Sequence, residues 1–173
     1  MPASRILLAP GASGSIERLR PHATGLESRG LAVELVPLPK GSAERAVPVY
    51  AVAIERHDPS TVVIGGQSFG GRVASLLAAE RRPAALVLLS YPLHAPGRPE
   101  AWDERTEHWP RVACPVLLLS GESDPFARIE LLRSAVERLP DATLVTYPSV
   151  GHGVGPVLEA ALDEVARFVA ART

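Results

Sequence analysis

The chain has one cysteine, Cys114, in 173 residues. That excludes an internal disulfide and fits a reducing, cytoplasmic setting. Long apolar runs are missing too: none reaches the roughly 18 residues of a membrane span. The first residues hold about six apolar side chains before turn chemistry begins at Pro10-Gly11, too short a run for a secretory leader. No sign of charge dominates, with 18 basic against 19 acidic residues and a formal net charge of −1. Such balance leaves no electrostatic footprint for nucleic acid or an anionic membrane. Aromatics are scarce at 5%, so Trp102 and Trp109 stand out by their positions. Lys40 is the lone lysine, and Ala, Pro and Gly are plentiful. That bias reads as the codon usage of a GC-rich bacterial genome.

What is present is ordinary for a globular chain: 46% hydrophobic and 21% charged residues. A chain near this length buries roughly 70% of its unfolded surface, enough for a core without metal or disulfide. No internal repeat or low-complexity linker appears, so residues 1–173 are expected to form one domain.

Six short apolar runs are predicted strands: Arg5–Pro10, Leu31–Pro37, Thr61–Gly65, Ala84–Tyr91, Pro115–Ser120 and Ala142–Tyr147. Most are continuously apolar and not alternating, as in strands buried on both faces of a parallel sheet. Helices are predicted between them. Phe69–Arg82 ends at Pro83; Ile129, Leu132, Val136 and Leu139 form one stripe; Leu158, Leu162, Val165 and Val169 form another. Pro21–Arg29 and Val47–Arg56 are weaker helices, each with its proline in the first turn. The alternation predicts a doubly wound α/β fold, six-stranded and mostly parallel, with helices on both faces. Residues 92–111 lack a clear period apart from a short helix near Glu100–His108. A connection of that length is usually functional or mobile.

Gly66-Gln67-Ser68-Phe69-Gly70 fits G-x-S-x-G between a predicted strand and a predicted helix. In that setting the serine sits on a strained turn with its hydroxyl exposed above the sheet. Glycines two before and two after are needed where backbones approach closely. The competing reading is a glycine-rich βα turn with a capping serine. A serine nucleophile requires an acid and then a histidine later in the chain. Asp124 follows the fifth strand and His152 lies in the loop before the last helix, both at the sheet's carboxyl edge. Asp124 alone could be a helix cap, and Glu122 is the rival acid. His22, His57 and His108 fall in helical or flanking segments, and His94 follows the fourth strand.

Two backbone amides should face the developing oxyanion: that of Phe69, and that of Ala12 in the loop Pro10–Gly14, with Ser13 as the alternative. The same loop could bind phosphate, but it lacks both glycine-rich nucleotide signatures. No His/Cys/Asp cluster has metal-ligand spacing, so no metal or other cofactor is expected. Ser13, Gln67, Tyr91, Pro92, Leu93, His94 and Trp102 are candidate substrate-lining residues. Trp102 and Trp109 could equally pin the long loop to the body.

The elbow GQSFGG, the stretch Leu89–Glu107 (LSYPLHAPGRPEAWDERTE) and GESDPF at Gly121–Phe126 together resemble the α/β-hydrolase superfamily. Within it the chain is most similar to the small lidless group related to dienelactone hydrolase, in particular the testis-expressed-protein-30-like hydrolases. The resemblance implies strand order 2-1-3-4-5-6 without a cap domain. It also implies that Ser68, Asp124 and His152 are nucleophile, acid and base, with Phe69 and Ala12 as oxyanion donors. Relatives commonly begin the oxyanion loop with His-Gly where this chain has Pro10-Gly11, which removes a side chain but no backbone donor. The implied activity is hydrolysis of a small acyl substrate, carboxylic ester or related, through a covalent acyl-enzyme. The alternatives are a catalytically silent binding or scaffold module of the same fold, and a flavin or nucleotide binder. Neither nucleic acid nor membrane is an expected partner, and the chain is expected to be a monomer or homodimer.

Overall fold

The computed structural model describes residues 4–172. Six strands, β1 (Arg5–Ala9), β2 (Ala32–Leu35), β3 (Val62–Gln67), β4 (Ala85–Leu89), β5 (Val116–Gly121) and β6 (Ala142–Tyr147), form one sheet in the order β2-β1-β3-β4-β5-β6. Every neighbouring pair is parallel. The interior strands β1, β3, β4 and β5 are buried almost along their whole length, which explains their continuously apolar sequence.

The helices are α1 (Arg20–Glu27), α2 (Ala43–Ile54), α3 (Phe69–Glu80), α4 (Trp102–Thr106), α5 (Ile129–Val136) and α6 (Leu158–Ala170). Alternate side chains of each strand point to opposite faces, so the core divides in two. Leu7, Ile64, Leu86, Leu88 and Leu118 pack with α2, α3 and α5. Ile6, Leu8, Val63, Val87 and Leu119 pack with α1 and α6 on the other face. The order reverses between β2-β1 and β3, so the loops after β1 and β3 diverge and leave a crevice at the carboxyl edge.

Two local expectations change. α2 begins at Ala43, four residues before Val47, because Ser42 caps it: its Oγ accepts the Arg45 amide at 3.3 Å. Pro48 therefore lies inside the helix, on an exposed side where the unpaired carbonyl one turn back can be hydrated. The single short helix near Glu100–His108 is instead three pieces: a 3-10 turn at Pro99–Ala101, α4, and a second turn at Trp109–Arg111. Tyr50, which the sequence pattern did not single out, reaches from α2 into the sheet. Its hydroxyl lies 3.1 Å from the Gly65 amide, 2.7 Å from the Gly65 carbonyl and 2.9 Å from the Leu7 carbonyl.

Among the described residues, no helix is long and apolar enough to cross a membrane.

Candidate active site

β3 runs directly into α3 through Ser68, whose backbone is held at φ 50°, ψ −118°. That is outside the regions a non-glycine residue ordinarily adopts, and such strain persists only where its surroundings impose it. The glycines explain how the turn closes. A Cβ at Gly66 would overlap the Gly70 carbonyl, and a Cβ at Gly70 would overlap the carbonyls of Ala9 and Pro10. Gly66 thus lets strand meet helix, whereas Gly70 lets the helix settle on the end of β1.

His152 stands over this turn, its Nε2 2.9 Å from Ser68 Oγ and its Nδ1 2.8 Å from Asp124 Oδ2. A carboxylate can only accept, so Nδ1 carries the proton and Nε2 is left to accept from the serine hydroxyl. The Asp124 side chain is fully buried, and its other oxygen accepts the Phe126 amide at 2.8 Å. Glu122, the rival acid, faces away: Thr146 Oγ1 donates to it at 2.7 Å and Arg133 lies 3.6 Å off.

Two hydrogen bonds hold the histidine loop, one from the acid loop and one to Ser90 after β4. The Ser123 amide donates to the Val150 carbonyl at 2.9 Å, and the Gly153 amide donates to Ser90 Oγ at 3.1 Å. Gly121 must be glycine because a Cβ there would overlap the carbonyls of Val150 and Gly151. Phe126 lies against the His152 ring with centroids 4.4 Å apart. A serine hydroxyl bound to an imidazole that is itself oriented by a buried carboxylate can lose its proton as it attacks.

Among the described residues, Ser68 borders a pair of cavities. One, of about 310 Å³, includes Ser13, Gln67, Phe126 and His152 in its wall. The other, of about 370 Å³, is bordered by Phe69, Arg72, Pro92, Arg105 and Phe126. Ala12 borders both, at a turn closed by the Gly14 amide donating to the Gly11 carbonyl at 2.9 Å. A further cavity of about 410 Å³ lies behind the acid loop and touches neither Ser68 nor His152.

Ser13, Gln67 and Pro92 therefore reach the cleft, while four other residues expected to line it do not. Tyr91 is 2% exposed, packs edge-on to Trp109 at 5.0 Å and donates its hydroxyl to the Arg105 carbonyl at 2.6 Å. Leu93 is wholly buried in the core. Trp102 packs on the core beneath the Arg138 guanidinium, 4.3 Å from its ring centroid. His94 is buried and acts between loops: its amide donates to the Phe126 carbonyl, its Nδ1 lies 2.8 Å from the Ala95 carbonyl, and its Nε2 accepts the Arg128 amide at 3.0 Å. The side chains after β4 turn inward because the connection folds back over α3.

Sequence reasoning passed over Arg72 and Arg105, which flank the second cavity. Nothing in their spacing joins them, since they meet only when residues 90–115 lie across α3. His108 helps hold that connection down, its Nε2 2.8 Å from Ser75 Oγ. Burial, with Arg72 and Arg111 nearby, pushes its imidazole down to about 4. Among the described residues no group of three or more His, Cys, Asp or Glu could hold a metal ion.

The family model of the alpha/beta hydrolase domain matches residues 40–163, most of the chain and including the elbow, Asp124 and His152. The chain belongs to the α/β-hydrolase family. A monoacylglycerol lipase of Paleococcus ferrophilus superposes with a TM-score of 0.85 at 15% identity, over 98% of this chain and 95% of that one. Est1E from Butyrivibrio proteoclasticus, in a structure holding ferulic acid, gives 0.77 at 18% identity over 97% and 88%. The likeness to these two is one of fold. A dienelactone hydrolase from Anabaena variabilis gives 0.74 at 26% identity over 98% and 85%. No curated protein sequence matches the chain.

Proposed function

We propose that this α/β-hydrolase is a serine hydrolase of carboxylic esters or closely related acyl compounds. The observation that carries this is the continuous relay Ser68–His152–Asp124, with contacts of 2.9 and 2.8 Å on a strained turn. Ser68 Oγ attacks the substrate carbonyl as its proton passes to His152 Nε2. Asp124 holds the imidazole tautomer and stabilises the positive ring. The carbonyl oxygen, now negative, is met by the amides of Phe69 and Ala12. Phe69 opens α3, where an amide has no intrahelical acceptor. Each such donor contributes roughly 3 kcal/mol in comparable sites. His152 returns the proton to the leaving oxygen as the acyl–oxygen bond breaks, leaving an ester to Ser68. Water, deprotonated by His152, attacks that ester, and the acid leaves as Ser68 regains its proton.

The reading needs no cofactor and suits one domain, as monomer or homodimer. Hydrolysis of short ester and thioester panels by wild type and Ser68→Ala tests it. Turnover by wild type that vanishes in Ser68→Ala is expected; turnover that survives the substitution overturns it.

A further inference from the structure

The second cavity beside Ser68 brings together two guanidinium groups, Arg72 and Arg105, and a single carboxylate, Glu44. Arg72 lies one turn into α3, its amide donating to the Ser68 carbonyl at 3.1 Å. Its side chain is 20% exposed, and its one ionic partner among the described residues is Glu44, at 3.4 Å, largely in solvent and on the wall of the same cavity. Its Nε is buried with no acceptor among the described residues. Arg105 donates Nη1 to the Pro92 carbonyl at 2.9 Å and forms no ion pair among the described residues. Tyr91 fixes the Arg105 backbone from below. Burial, and then the charge of Arg72, pull the Arg105 guanidinium below its usual range. Two like charges held partly out of water beside a reactive serine are costly unless an anion joins them.

The two cavities also have a direction. His152 must hand its proton to the leaving group, so the leaving group departs through the cavity that His152 borders. The arginine cavity is not bordered by His152, but it is bordered by Ser68, Phe69 and Ala12. The acyl chain therefore extends into it.

We infer that Arg72 and Arg105 form a carboxylate-binding subsite, and that the preferred acyl group carries a carboxylate at its far end. This rests on the serine-hydrolase reading above. A carboxylate there receives charge-assisted hydrogen bonds from guanidinium forks, the geometry arginine suits best. Neutral acyl chains of equal length leave Arg105 without an ion pair and Arg72 with Glu44 alone. The leaving group is not recognised by this pair.

The test compares wild-type kcat/KM on monoethyl adipate and ethyl hexanoate, which differ only in a terminal carboxylate against a methyl. A preference of roughly 10- to 100-fold for the anionic ester is expected, as for one or two charge-assisted contacts. Arg105→Glu should turn that preference toward an ammonium-tipped ester of matched length, and added salt should shrink the wild-type preference. Turnover of ethyl hexanoate with no preference for the adipate ester overturns the subsite and leaves the hydrolase reading standing. A preference for a carboxylate placed on the alcohol side overturns it as well. Turnover of none of these esters defeats both readings.

Discussion

Nε2 of His94 accepts the backbone amide of Arg128 at 3.0 Å, and this bond closes the loop that carries Asp124. Since an amide can only donate, Nε2 is unprotonated and Nδ1 carries the hydrogen toward the Ala95 carbonyl. Between those contacts lies Phe126, whose amide holds Asp124 and whose ring backs His152. In the proposed mechanism His94 is thus a positioning residue. His94→Ala should lower kcat roughly 10- to 100-fold with little change in KM, because a small misplacement of the acid costs the chemical step. Steady-state kinetics on a neutral ester checks this, and a loss confined to KM would contradict it.

Asp124 and Glu122 separate cleanly. Asp124→Asn should cut turnover on the order of 10⁴-fold by favouring the wrong imidazole tautomer. Glu122→Gln, which keeps an acceptor for Thr146, should stay within a few-fold of wild type. The ratio of their kcat values is the readout, and comparable losses would mean that the acid is misassigned.

His108 makes stability depend on pH with a definite sign. Its imidazole stands at about 4 in the folded chain against an ordinary 6.5, through burial and the charges of Arg72 and Arg111. Between those values the unfolded chain binds a proton that the folded one refuses, so stability rises with pH across that window and is lost on acidification. The contribution is on the order of 3 kcal/mol. Urea midpoints from pH 7 to 4 should fall less steeply in His108→Gln, which can still donate to Ser75. Parallel slopes would refute the assignment.

Much of the fold was legible because strands buried on both faces must be apolar at every position. The runs ending at Pro10, Gly65, Tyr91 and Ser120 therefore located the interior strands to within a couple of residues. The relay was legible because Ser68, Asp124 and His152 each sit at a strand's carboxyl end, where chain order alone limits the candidates. The connection over residues 90–115 was not. Its helical pieces are each about a turn or little more, too short for a hydrophobic period, so no pattern told which side of the chain faces the body. Tyr91, Leu93, His94 and Trp102 look like lining residues in sequence and are anchors in space. Arg72 and Arg105 are separated by a strand and a loop, and only tertiary packing makes them neighbours. Tyr50 escaped notice because nothing local marks a helix tyrosine whose acceptors lie in two strands.

Tyr50→Phe tests that buried hydroxyl. Removing it takes a partner from the Gly65 amide and from two carbonyls inside the sheet. A cost of about 1–3 kcal/mol follows for an orphaned buried group. For a chain of this size the melting temperature should fall by roughly 3–8 °C. A calorimetric melt unchanged from wild type would show that water or a small shift replaces the contact.

Intact-mass labelling with a fluorophosphonate probe, followed by peptide mapping, tests the activated serine most directly. A single stoichiometric adduct on Ser68, absent from a folded Ser68→Ala variant, is the expected result. Well-folded wild type that takes up no label, or takes it elsewhere, would contradict the proposed role of Ser68.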